Sequence, residues 1–66
     1  MYTRLVLTMK RKGITVKRLS ELTGIPYRPL CDKLKKKSGI TIENAFLIRT
    51  AIESDETIDT LFAWEE

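Results

Sequence analysis

Sixty-six residues make one domain at most, residues 1–66, and at that size folding buries only ~60% of the unfolded chain's surface. The 42% apolar content fills a small core and 32% charged residues keep the exterior solvated, which excludes a disordered chain. Cys31 stands alone and cannot close an internal disulfide; the longest uncharged run near the N-terminus, LVLTM, is far too short for a spanning helix or signal peptide, so the chain reads as soluble and cytoplasmic.

Charge is unevenly distributed. Residues 1–37 hold eleven Lys or Arg against Glu21 and Asp32, a net +9. Residues 38–66 hold Arg49 against seven acids, a net −6. A basic half beside an acidic half suggests one face for a polyanion and one turned away from it, with ordinary solvated charge as the plainer reading.

Taken in order, the chain reads as helices throughout. The first is expected over about residues 3–12, with Tyr2, Leu5, Val6 and Met9 as one amphipathic stripe and Gly13 as its stop. Leu7 lies off that stripe and either packs on another element or joins a partner surface. Thr15 is placed to cap a second helix, with Ile14 and Leu19 spaced for a hydrophobic staple. Val16, Leu19, Ser20 and Thr23 form its inward side, Leu22 adjoins, and Gly24 ends it by tolerating positive φ.

Two prolines locate the third helix. Pro26 keeps the preceding Ile25 extended, and Pro29 is tolerated only in a first turn, where amide hydrogens have no helical partner. This helix therefore begins near residue 26 or 27 and is expected to run to about 36. Tyr27, Leu30, Cys31 and Leu34 make its apolar stripe; Arg28, Asp32, Lys35 and Lys36 make the opposite face. After a loop at residues 37–39, Ile40 is expected to plug the core and Thr41 to cap a fourth helix. That helix is apolar on more than one side (Ile42, Ala45, Phe46, Ile48, Ile52) and is expected to be the most buried element. Arg49 within it should snorkel to solvent or find an acid. An acidic connector, residues 53–56, leads to a last short helix over about 57–64 that returns Ile58, Leu61 and Phe62 to the core.

These residues resemble the Cro/CI-type (XRE-like) helix-turn-helix family of phage and bacterial regulators. The likeness runs through KGIT, LSELTGIP, LCDKL, SGITIENA and TIDTLF, nearly the whole chain, and KKKSGITIENA looks most like the small stand-alone phage versions. Ser20 and Thr23 depart from the small and apolar residues usual at those positions, Lys33 stands where an apolar residue is common, and Pro29 is unusual at the start of the third helix. The resemblance implies an all-α, lambda-repressor-like bundle of five short helices with the helix-turn-helix at helices 2 and 3. It implies sequence-specific binding of double-stranded DNA by a small transcriptional regulator, repressor-like and phage- or mobile-element-encoded.

In that motif the second helix crosses the phosphate backbone and the third enters the major groove. Carried onto this chain, Tyr27, Arg28 and Asp32 lie nearest the bases, flanked by Pro26, Cys31 and Lys35. Arg28 can grip guanine O6 and N7, and Asp32 can accept from cytosine N4. The plainer alternative is that Arg28 and Asp32, four apart on one helix, pair with each other. Tyr27 is either mostly core, its hydroxyl at a phosphate, or a base contact. Thr15, Lys17, Arg18, Lys36, Lys37 and Ser38 are the expected phosphate contacts, with a solvated face as the alternative for the lysines.

The family's habit of binding two-fold sites implies a homodimer, formed on DNA rather than free, with half-sites ~34 Å apart. Leu61, Phe62 and Trp64 are the candidate interface; Trp64 is alternatively a lid on the core. No histidine, cysteine pair, phosphate loop or metal-ligand spacing is present, so neither enzyme, cofactor nor metal is expected, and no membrane or small-molecule partner is indicated. A rival function is a protein-interaction module, an antirepressor or inhibitor that reuses the same fold.

Overall fold

The computed structural model describes residues 1–37 and 39–65 and contains five helices: α1 (Thr3–Arg11), α2 (Val16–Thr23), α3 (Tyr27–Leu34), α4 (Ile42–Ala51) and α5 (Ile58–Leu61), with no strand among the described residues. Local chemistry sets most boundaries. Thr15, Thr41 and Thr57 are extended residues whose hydroxyls accept from the amides of Arg18, Asn44 and Thr60, so three helices start on a threonine cap. Gly24, at φ 78°, ends α2 in the left-handed region. Pro29 falls in the first turn of α3, where the first helical bond runs from the Leu30 amide to the Pro26 carbonyl. Its missing amide hydrogen therefore costs nothing. The third and fifth helices are shorter than expected, closing at Leu34 and Leu61.

Tyr2, Leu5, Met9, Leu19, Leu30, Ile48, Ile52 and Leu61 make one core, with Ile14, Val16, Ile40 and Leu34 packed against it. α2 packs on both α3 and α4, and α5 rests on α4 and α1. The radius of gyration, 10.5 Å, is close to the ~11 Å of a single compact globule of this length. No helix among the described residues is long and apolar enough to cross a membrane.

Three expectations are corrected. In α1 the buried residues are Leu5, Thr8 and Met9, while Val6 is exposed. A count of apolar residues passed over Thr8, whose hydroxyl donates to Glu56 across the molecule at 3.2 Å. α4 is not the most buried element. It buries only Ala45 and Ile48, with Ile52 at its cap, and leaves Ile42, Phe46 and Leu47 about half exposed or more. The acidic connector is not simply solvated. Glu56 is 19% exposed, takes Arg4 at 2.6 Å and Arg11 at 3.8 Å, and its carbonyl accepts from Arg49. Lys12 donates to the Glu53 carbonyl, where the backbone reverses through a positive φ of 54°.

At the chain ends, the Glu65 amide donates to the Met1 carbonyl. Beneath them Tyr2 meets Trp64 and Phe62 edge to face, at centroid distances of 4.9 and 6.1 Å. That cluster closes one end of the core.

Candidate nucleic-acid interface

The segment from Thr15 to Lys37 is held by its own polar side chains. Ser20 and Thr23 both use their hydroxyls around the turn that follows α2. Ser20 Oγ donates to the Ile25 carbonyl at 2.6 Å, Thr23 Oγ1 donates to the Leu19 carbonyl at 2.8 Å, and Thr23 Oγ1 accepts from the Ile25 amide. Each half-buried hydroxyl thus ties residues 24–26 back onto α2, which fixes the direction in which α3 leaves. A buried hydroxyl without a partner would be costly; here the hydroxyls replace packing by bonds.

α3 then turns Leu30 fully into the core with Cys31, Lys33 and Leu34 half-buried around it. Pro26, Tyr27, Arg28, Asp32, Lys35, Lys36 and Lys37 are all exposed. Arg28 and Asp32 do not form an ion pair, and among the described residues none of Lys17, Arg28, Lys35 and Lys36 does. The i, i+4 alternative for Arg28 and Asp32 is therefore not the observed arrangement. Tyr27 is 50% exposed and does not belong to the core stripe, because it sits at the first position of the helix and overhangs its edge. The Cys31 thiol one turn on, through hydrogen bonding first and its charge second, with slight burial third, pushes the Tyr27 phenol above its ordinary pKa.

On α2 the Thr15 hydroxyl accepts from the Arg18 amide and keeps its own proton to donate. Lys17 is exposed, and Arg18 holds Glu21 at 3.3 Å with both side chains more than half exposed. Such a surface pair is weak and exchangeable. Ser38, the remaining expected phosphate contact, lies outside the described residues.

Intramolecular pairing separates two groups among the cations of residues 1–37. Arg4, Arg11 and Lys12 are committed to the connector after α4, whereas Lys17, Arg28, Lys35 and Lys36 are not. The hydrogen bond from Arg4 holds the Glu56 carboxyl below its ordinary value; partial burial opposes this, and Thr8 with the charges of Arg4 and Arg11 adds to it. This cluster escaped sequence reasoning, because its members are 48 and 52 residues apart.

Leu61, expected at a dimer interface, is fully buried and has no surface to offer. Phe62 and Trp64 are half-buried against Tyr2, which is the lid arrangement for Trp64. The apolar surface lies elsewhere, on Ile42, Phe46 and Leu47 of α4 beside Leu22 of α2. Its signal in the sequence was the adjacent pair Phe46-Leu47, off the stripe formed by Ala45, Ile48 and Ile52. Among the described residues no group of three or more His, Cys, Asp or Glu is gathered as for a metal. The chain matches no protein-family model, no curated protein and no solved structure at a significant level.

Proposed function

We propose that the chain is a small helix-turn-helix regulator of the Cro/CI type that binds double-stranded DNA in a sequence-specific way. In this reading α2, residues 24–26 and α3 are the helix-turn-helix of a lambda-repressor-like bundle. α3 enters the major groove and α2 lies across the adjoining phosphates. Arg28 reads guanine through O6 and N7, Asp32 reads cytosine N4, and Tyr27, Pro26 and Lys35 border the same bases. Thr15, Lys17, Arg18, Lys36, Lys37 and Ser38 hold phosphates and set the register.

The observation that supports this best is the outward face of α3. Arg28 and Asp32 on α3 and Lys35 at its C-terminal cap are exposed and form no ion pair, while Arg4 and Arg11 of α1 turn to Glu56 and Lys12 turns to the Glu53 carbonyl. A helix that only packed the core would gain nothing from holding these charges apart. The molecule measures 25 × 22 × 20 Å, so two copies fit side by side on half-sites ~34 Å apart without overlapping.

The test is selection of bound sites from a random duplex pool. Enrichment of a palindromic motif whose half-sites contain a G·C pair is the expected result. Absence of enrichment, with no salt-dependent shift of random duplex, would overturn the reading and favour the protein-interaction module, to which the exposed apolar face of α4 lends specific support.

A further inference from the structure

α4 carries an apolar surface that the other described residues leave uncovered. Ile42, Phe46 and Leu47 are 60%, 52% and 48% exposed, and Leu22 of α2 beside them is 43% exposed. Phe46, Leu47 and Leu22 also line an open groove between the two helices, with Glu43 and Thr50 on its wall. The four apolar side chains together offer roughly 400 Å², the size at which the largest patch of a monomer is often functional.

We propose that this face is a dimerisation surface on which a second copy lays its own α4 antiparallel, about a two-fold axis passing between Phe46 and Leu47. The order of residue types carries the argument. Outward from that point in either direction the exposed face of α4 is apolar (Phe46, Leu47), then polar (Glu43, Thr50); beyond these lie exposed Ile42 at one end and Ala51, half-buried against the core, at the other. An isologous interface needs such a pattern, since each end of the patch must suit the other end of an identical one. In the antiparallel pair Phe46 and Leu47 meet their counterparts, and the Glu43 carboxylate faces the Thr50 hydroxyl of the second copy.

Charge selects the same orientation. A parallel pair would set the two Glu43 carboxylates against each other. The antiparallel pair moves them seven residues apart along the axis, about 10 Å at ~1.5 Å per residue, which is roughly the screening length at physiological salt. Area sets the strength. A standard interface buries ~800 Å² per copy, of which these apolar side chains supply about half, so association is weak. The surface is distinct from α3 and does not depend on the DNA reading.

The test is made without DNA, by sedimentation of the full chain over a concentration series. The wild-type mass rises towards a dimer at the upper end. Leu47→Glu and Phe46→Glu weaken association by about tenfold or more and keep their helicity, while Leu7→Glu, 51% exposed on α1, leaves it unchanged. In a Cys31→Ser background, Phe46→Cys cross-links to itself under mild oxidation. Ile42→Cys, whose two copies lie about 13 Å apart along the axis, does not. A chain that stays monomeric throughout, a dimer that Leu47→Glu leaves intact, or Ile42→Cys cross-linking as readily as Phe46→Cys would each overturn the proposal.

Discussion

Replacing Lys35, Lys36 and Lys37 together by Gln should flatten the salt dependence of duplex binding by an amount that can be stated beforehand. Each phosphate contact contributes about 0.9 to the slope of log K against log salt, so three contacts contribute ~2.7. Over a fourfold rise in salt, from about 50 to about 200 mM, that slope corresponds to roughly 40-fold in affinity. The wild-type protein should therefore lose about 40-fold more affinity than the variant across that range, on specific and random duplexes alike. The structure supplies the control. Arg4 and Arg11 carry the same charge but are held by Glu56, so Arg4→Gln with Arg11→Gln should leave the slope where it was. Fluorescence anisotropy on a labelled duplex, titrated at four or more salt concentrations, reads both. An unchanged slope in the lysine variant removes those residues from the interface. Equal flattening in both variants means that overall charge, and not a defined face, drives binding.

Arg28→Ala should cost about 1–3 kcal/mol on the selected site and relax preference at one base pair; equal losses on random duplex would remove Arg28 from base reading. Gly24→Ala tests backbone strain alone, because a Cβ there meets nothing within 4 Å while φ is 78°. A loss of about 1 kcal/mol, or ~4–8 °C in Tm for a domain of this size, is expected in thermal melts. Gly39→Ala should be worse, since its Cβ would lie 2.5 Å from the Lys33 carbonyl oxygen; a smaller loss than at Gly24 would contradict this. Glu56 contributes stability through a lowered folded-state pKa, so its share is complete above the ordinary value of 4.5 and is lost as pH falls through the folded value. Glu56→Gln should flatten the acid limb of stability against pH, and an unaltered limb would show the Arg4 pairing to be energetically silent.

The features legible in the sequence are those whose causes lie within a turn or two of chain. Threonine caps at Thr15, Thr41 and Thr57, the left-handed Gly24 and the first-turn Pro29 act through bonds to residues at most four positions away. The outward set Arg28, Asp32 and Lys35 follows from the same register once the prolines place the start of α3. Tyr27, left open between core and groove by the sequence, is 50% exposed in the structure, for a physical reason. Periodicity says which angle a residue occupies, not whether a neighbouring element extends far enough to cover it.

The five-helix order, the helix starts and the charged face of α3 were therefore determined by the sequence alone, because hydrogen-bond capping and backbone sterics are local. Which side of each helix is covered was decided only in the tertiary structure. Thr8 is buried where Glu56, 48 residues away, gives its hydroxyl a partner, and Val6 is exposed while Tyr2, Leu5 and Met9 enter the core. The same holds for the turn hydroxyls of Ser20 and Thr23 and for the open face of α4, since apolar content in a helix says nothing of how many neighbours it will have. With α2 on one side and α5 on another, α4 runs out of partners before it runs out of apolar residues.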